Sequence, residues 1–242
     1  MKKLALILLA VALIVTFASC SKRSSSAAPS TSASAASTAP AADTSSTTPS
    51  TGTVDSEYDP NKTVDFTQQT SEENRVVTIG TIDKSLYKQP VFVTSFGQST
   101  DAAMLDTVMK RIGVDYVYNA TATADTIKGY KTIIIAVGAS TKGLGAAGIS
   151  EADETARAKA IMEYINSNDV EVICCHIGGS ARRGTLSDLY SDMVMEKASL
   201  IVLKEDANFD YKFTKYAEEH NKPISLIYAT KDALTVFTEI FQ

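Results

Sequence analysis

The stretch KTIIIAV, residues 131–137, decides the fold class of this chain. Its last five residues are all apolar and mostly β-branched, which is typical of a strand buried on both faces of a sheet. The stretch VEVICCHI, residues 170–177, has the same character, and a helical pattern at residues 150–167 lies between the two. We predict that Ser150 caps this helix, with Asp153 three residues further on. A strand, a helix and a second strand in this order form a parallel unit with a right-handed crossover.

The alternation of strand and helix patterns continues on both sides of this unit. Further strands are predicted at residues 75–80, 90–96, 114–118, 200–204 and 224–228, and further helices at residues 100–112, 186–198, 209–220 and 232–241. We therefore predict a single α/β domain, residues 75–242, with a three-layer, doubly wound and mainly parallel sheet that is Rossmann-like or flavodoxin-like. In such sheets ligands bind beyond the carboxyl ends of the strands, so the loops that directly follow the strands are the candidate binding segments.

The first twenty residues resemble a bacterial lipoprotein signal. Lys2 and Lys3 precede an apolar run at residues 4–17, and small residues then lead to Cys20. The run has the length of a signal-peptide core and is shorter than a membrane span. The resemblance implies that Cys20 is lipidated and anchors an exported protein to the membrane of the bacterial cell envelope, outside the cytoplasm. Phe17 departs from the leucine usual in that motif, so a plain secretory signal remains the alternative.

Residues 21–74 are predicted to be a disordered linker. From residue 24 to residue 53 every residue is Ser, Ala, Thr or Pro except Asp43 and Gly52. Such a segment has almost no large apolar side chain to bury, so it cannot offset the entropy lost on ordering.

The overall composition excludes several classes of protein. A formal net charge of −5 argues against a nucleic-acid partner, because nucleic-acid-binding proteins usually carry a basic surplus. Three Cys and two His give neither a disulfide framework nor a His-rich metal site. We predict no metal and no cofactor.

The loop after residues 90–96 contains a glycine followed by polar residues at the start of a helix. Gly97, Gln98 and Ser99 are predicted to present backbone N–H groups to an anion, in a pattern loosely similar to the phosphate loop of flavodoxins. The alternative is that Ser99 or Thr100 simply caps the helix.

The loop after residues 131–137 is rich in glycine. Gly143, Gly145 and Gly148 satisfy a GxGxxG pattern, but five residues separate it from the strand and no acidic residue ends the next strand. We therefore reject a dinucleotide fingerprint, and no Walker loop is present either. The loop is predicted to be flexible and cationic, with an anion contacted by Ser140, Thr141, Lys142 and Gly143.

The loop after residues 170–177 reads HIGGSARRGTLSD and has no acidic residue from His176 to Ser187. Paired glycines allow close backbone approach, and guanidinium groups bind carboxylate or phosphate. The predicted ligand contacts are Gly178, Gly179, Ser180, Arg182 and Arg183. The alternative is that the two arginines form surface ion pairs with Asp188, Asp192 or Glu205.

Catalytic interpretations have less support. His176 at a strand end is a candidate acid or base, with Asp188 or Asp206 orienting it. A strand-end histidine is more often structural. Cys174 and Cys175 are adjacent in a strand and are predicted to be buried thiols on opposite faces of the sheet.

Three segments, GASTKGLGAAG, HIGGSARRGTLSD and LIVLKEDANFDYKFT, resemble an uncharacterised family of exported bacterial domains over residues 89–242. The resemblance implies one exported domain and brings no activity, substrate or catalytic residues. Three functions remain open: a lipid-anchored protein that binds a small anion such as a carboxylate or phosphate ester, a hydrolase or transferase that uses the same pocket, and an envelope interaction or scaffold domain.

Overall fold

The computed structural model describes residues 64–242. The predicted signal peptide, the predicted lipidation site Cys20 and the predicted linker up to residue 63 lie outside the described residues. None of the helices formed by residues 64–242 is both long and apolar enough to cross a membrane.

The domain is built on a seven-stranded sheet that is parallel except at one edge. The strands are β1 (Val76–Ile79), β2 (Val91–Phe96), β3 (Tyr116–Tyr118), β4 (Thr132–Val137), β5 (Glu171–His176), β6 (Leu200–Lys204) and β7 (Ile224–Ile227). Their order across the sheet is β1-β7-β6-β5-β4-β2-β3, and β1 pairs antiparallel to β7. The predicted single, mainly parallel α/β domain of Rossmann-like or flavodoxin-like type is confirmed.

Helices cover both faces of the sheet and complete the three layers. In residues 64–242 the α-helices are α1 (Asp101–Ile112), α2 (Thr141–Ala147), α3 (Glu151–Asn166), α4 (Thr185–Lys197), α5 (Lys212–Glu219) and α6 (Ala233–Phe241). One apolar core lies between the sheet and α1 with α6, and the other lies between the sheet and α3, α4 and α5. Successive residues of a strand enter opposite cores, so Cys174 faces one core and Cys175 the other. Both thiols are free and buried, as predicted.

The predicted flexible loop after β4 is wrong, because α2 forms there. The Ser140 hydroxyl accepts a hydrogen bond from the N–H of Gly143 at 3.1 Å and caps the helix. Gly148 ends it in the left-handed conformation, with φ of 67°. The predicted cap of α3 is confirmed, since the Ser150 hydroxyl accepts from the N–H of Asp153 at 3.1 Å.

The predicted helix at residues 209–220 begins later than expected. A short 3-10 helix, Glu205–Asn208, follows β6, and α5 starts only at Lys212. Tyr211 precedes α5 in the left-handed conformation, with φ of 59°, so the chain turns there instead of continuing a helix.

Residues 64–74, which the sequence places in the linker, form no helix or strand but contact the domain. The N–H of Thr70 donates to Glu205 Oε2 at 2.9 Å, and Phe66 packs against the core on the α5 side. This segment therefore forms part of the surface of the folded unit.

A buried ion pair joins α3 to the carboxyl end of β2. The Glu154 side chain is fully buried and contacts Arg157 Nη2 at 2.7 Å. Glu154 also accepts from the N–H of Gly97 at 2.7 Å, and Arg157 donates to the carbonyls of Ser95 and Ala122. Both charges are thus paired and also hydrogen-bonded to backbone.

We predict that Arg157→Ala lowers the free energy of unfolding by about 3 kcal/mol, because it leaves the Glu154 carboxylate buried without its counter-charge. Urea unfolding followed by circular dichroism measures the change. Lys159→Ala removes an exposed cation from the same helix and should change stability by less than about 0.5 kcal/mol. A loss below about 1 kcal/mol for Arg157→Ala would mean that the pair behaves like a surface ion pair.

Candidate functional site

The candidate site lies at the carboxyl edge of the sheet, where the order of the strands reverses. β2 has β3 on one side and β4 on the other. The loops after the adjacent strands β2 and β4 therefore lead to helices on opposite faces of the sheet, α1 and α3. Ligands of open α/β sheets bind at such switch points. Here the start of α1, Gly138 after β4 and Gly178 after β5 come together.

A buried carboxyl group occupies this position. Asp101, the first residue of α1, is 1% exposed, and its N–H donates to the Ser99 hydroxyl at 3.3 Å. Its Oδ2 atom has no hydrogen-bond partner among residues 64–242. Burial raises the pKa of Asp101 above the ordinary 3.8, and the charge of Arg182, the N–H of Gly178 and the Ser99 hydroxyl oppose that rise.

Two glycines make room for this carboxyl group. A Cβ on Gly178 would lie 2.6 Å from Asp101 Oδ2 and 2.4 Å from Cγ of Arg182, so Asp101 and Arg182 both lie over the same face of Gly178. A Cβ on Gly138 would lie 3.3 Å from the Ser99 hydroxyl. Gly178 is therefore required by close approach, as the sequence predicted for the glycine pair, but the group that approaches is the protein's own carboxyl.

The two adjacent arginines have different environments. Arg183 forms bidentate contacts with Asp188, at 2.7 and 3.0 Å, and with Asp210, at 3.0 and 2.7 Å. Its side chain is 5% exposed and stacks on the rings of Phe209 and Phe213, with 4.8 and 5.2 Å to their centroids. These carboxylates raise the pKa of Arg183. Arg183 therefore forms an ion pair with Asp188, as the alternative interpretation of the two arginines predicts.

Arg182 has no such partners. It is partly exposed, and it forms no ion pair within 4.0 Å with any residue of the described range 64–242. Its positive charge acts on Asp101, where it opposes the rise in pKa that burial causes. Arg182 is therefore the arginine of the pair that remains able to meet an anion.

The loop after β2 is already occupied by an internal carboxylate. Besides the N–H of Gly97, the side-chain amide of Gln98 donates to Glu154, at 3.2 and 3.3 Å. Of the three residues predicted to bind an anion here, only Ser99 lies beside Asp101. The other two face the Glu154–Arg157 pair.

The residues predicted after β4 do not converge on Arg182. Gly143 packs against the carbonyl of Gln98, where a Cβ would lie 1.8 Å from the oxygen. Ser140 uses its hydroxyl to cap α2, and Thr141 and Lys142 are exposed on that helix.

Gly179 and Ser180 face a third carboxylate. The N–H of Ser180 donates to Asp206 Oδ1 at 3.2 Å, and Lys204 Nζ lies 2.7 Å from Asp206 Oδ2. Gly179 has φ of 75°, and a Cβ there would lie 2.4 Å from Asp206 Oδ1. Carboxylates from elsewhere in the chain therefore accept hydrogen bonds from the loop after β2 and from the loop after β5.

His176 and Asp188 form no hydrogen bond with each other. The His176 ring is fully buried, packs edge-on against Phe213 at 5.4 Å, and has no partner for either nitrogen among the described residues. Burial lowers the pKa of His176 to about 4. Asp188 is held by Arg183 and also lies 3.9 Å from Lys212. A catalytic role for either residue stays a prediction, and a base of such low pKa is weak at neutral pH.

Sequence reasoning missed Asp101 and Glu154, and it named Asp206 only as a partner of His176 and not of Ser180. An acidic residue in the first turn of a helix is usually interpreted as a partner of the helix dipole, so Asp101 gave no separate signal. The glycines directly after β4 and β5 were the available signal, because they mark close approach of another group. Within residues 64–242 no cluster of three or more His, Cys, Asp or Glu side chains could hold a metal ion.

A family model described as a domain of unknown function (DUF6305) matches residues 88–241, and the chain belongs to this family. The match covers β2 to α6 and hence every residue of the candidate site. No protein with a curated description matches the chain. The predicted membership of an uncharacterised domain family is confirmed.

We predict that Asp101→Asn stabilises the protein more, or destabilises it less, at pH 7 than below pH 3.8. The raised pKa means that folding favours the protonated carboxyl, so the wild type loses stability as the pH rises through the pKa of Asp101, and the neutral amide does not. Urea unfolding of both proteins across this range measures the difference. A stability difference independent of pH would show that the pKa of Asp101 is not raised.

Proposed function

We propose that this DUF6305 protein binds a small anionic ligand, a carboxylate or a phosphate ester, at the carboxyl edge of its sheet between Arg182 and Asp101. One observation carries the proposal: Asp101 is 1% exposed, yet its Oδ2 has no partner within residues 64–242. A buried acceptor without a partner costs free energy. Such groups, and carboxyls of raised pKa, are concentrated at functional sites.

The two side chains suggest the chemistry of the ligand. The guanidinium of Arg182 would pair with the anionic group through parallel N–H donors. The carboxyl of Asp101 would accept a hydrogen bond from a hydroxyl of the same ligand, since a second anionic oxygen beside it would be repelled. A hydroxy acid, or a phosphate ester that keeps a free alcohol hydroxyl, meets both requirements.

We predict that Arg182→Ala abolishes the rise in Tm that such a ligand causes. A ligand at about a hundred times its Kd stabilises by about 2.7 kcal/mol. The ligand-free Tm should fall by less than this rise, because Arg182 has no close ion pair to lose within the described residues and its charge only partly offsets the burial of Asp101. Thermal unfolding by circular dichroism, with a panel of hydroxy acids and phosphate esters, gives the measurement.

Lys159→Ala is the control, because it removes an exposed cation from α3 and should leave the rise intact. The proposal fails if no member of the panel raises the Tm of the wild type. It also fails if Arg182→Ala keeps the full rise.

The same proposal includes an extracytoplasmic, lipid-anchored location. It is supported by the sequence of residues 1–20, with two lysines, an apolar run and Cys20 after small residues. The Ser-, Ala-, Thr- and Pro-rich segment that follows would serve as a spacer between the membrane and the domain.

We predict that Cys20→Ala releases the full-length protein from the membrane fraction, because a lipid chain on Cys20 is the expected anchor. Fractionation of expressing cells, with incorporation of labelled palmitate, measures both attachment and lipidation. Cys174→Ala should keep the label, since that thiol is buried in the sheet. Labelling that persists in Cys20→Ala would place the lipid elsewhere.

A further inference from the structure

A groove that has no role in the proposed anion site lies beside the carboxyl ends of β6 and β7. It encloses about 460 Å³ between residues 66–70 and the segment that follows β6. Three aromatic side chains in its wall are exposed: Phe209 at 65%, Tyr211 at 54% and Tyr228 at 41%. Most exposed residues of a soluble domain are polar, so three exposed rings in one groove are unusual.

The groove is elongated. A second groove of about 480 Å³ adjoins it and shares Phe66, Thr67 and Tyr211 with it. Tyr211 thus stands where the two meet. An extended ligand can contact both, whereas a compact one would fill only one.

The acidic side chains in the first groove are already engaged within the protein. Glu205 accepts hydrogen bonds from the N–H and the hydroxyl of Thr70, and Asp206 pairs with Lys204 at 2.7 Å. No Lys or Arg is among the residues that line it. The second groove includes one lysine and two acidic residues, so it has no basic surplus either. The acidic surplus of both linings disfavours an anionic ligand.

The aromatic rings also disfavour a cation. The guanidinium of Arg183 lies over Phe209 at 4.8 Å, and that of Arg75 lies over Tyr228 at 4.6 Å. A ring that already carries a positive group on one face attracts a second cation less strongly on the other. Apolar C–H groups remain suitable partners for the exposed faces of the rings.

Tyr211 has no structural reason to be a tyrosine. Its φ of 59° is unfavourable for an aromatic residue, and its side chain is exposed. The interactions that fix the turn are made by its backbone, whose N–H donates to Asn208 and whose carbonyl accepts from Thr214. Glycine could make the same interactions without strain. Backbone strain that packing does not explain is typical of a binding position.

We propose that this groove binds a neutral oligosaccharide. A sugar ring offers a face of C–H groups for Tyr211, Phe209 and Tyr228 and a rim of hydroxyls for the side-chain amides of Gln68 and Gln69. Its chain form matches the elongated shape, and because it carries no charge it is neither repelled by the acidic side chains nor dependent on a cation-π contact. This site is separate from Arg182 and does not depend on the anion proposed there.

Isothermal titration of the full-length protein with maltotetraose, cellotetraose and tetra-N-acetylchitotetraose tests the proposal. At least one of them should bind the wild type at millimolar concentrations, and Tyr211→Gly should weaken that binding by about tenfold or more. The same variant should unfold at an equal or higher temperature, because glycine relieves the strain at φ of 59°. If Tyr211→Gly loses binding but keeps its thermal stability, the loss is due to the missing aromatic ring.

Three controls accompany the titration. Tyr211→Phe keeps the ring and should keep the binding, and Met104→Ala, which removes an exposed apolar side chain from α1, should not change it. Arg182→Ala should also bind the sugar normally, which separates this site from the anion site. The proposal is overturned if none of the three sugars binds, or if Tyr211→Gly binds them as the wild type does. Binding of tetraalanine in place of the sugars would identify an extended peptide as the occupant and would also overturn it.

Discussion

The carboxyl edge of the sheet depends on one constraint, which is that backbone N–H groups left free after each strand need acceptors. The chain meets this need with its own carboxylates. Glu154 accepts from the N–H of Gly97, and Asp206 accepts from that of Ser180. Because Arg157 and Lys204 pair with these two acids, the charges at both positions are balanced inside the protein. The hydrogen-bonding groups at these two positions therefore have partners within the protein, and a polar group that lacks one is a candidate for contact with a ligand.

Among the carboxylates that contact these loops, Asp101 is the exception. It lies over Gly178 as the other carboxylates lie over their loops, but it leaves one oxygen without a partner among the described residues, and Arg182 stays outside any close ion pair there. Arg183, one residue further on, is enclosed by Asp188, Asp210 and two aromatic rings. The two arginines thus differ in role: Arg183 stabilises the loop, and Arg182 is available at the switch point. The proposed anion site is correspondingly smaller than a pocket built from all three basic side chains of the loops.

The segment at residues 64–70 gives the domain its second feature of interest. By lying beside the chain that follows β6, it converts a set of exposed rings into a groove with two walls. The Thr70–Glu205 contact holds this segment in place. The same residues precede β1 and belong to the segment, residues 21–74, that the sequence assigns to the linker.

The sequence by itself determined the layered α/β fold, the parallel sheet, the opposite faces of Cys174 and Cys175 and the cap of α3 at Ser150. These follow from local patterns: continuous apolar strands, alternation of side chains and a hydroxyl before an acidic first turn. Helix α2 was missed because two of its seven residues are glycines, which weaken helix propensity, although Ser140 and Gly148 were available as end signals. Only the tertiary structure decided which groups fill the loops. The contact between Gly97 and Glu154 spans 57 residues and that between Ser180 and Asp206 spans 26. A loop without acids in its own sequence can still be filled by a distant carboxylate, because the fold, and not the local pattern, brings the two together.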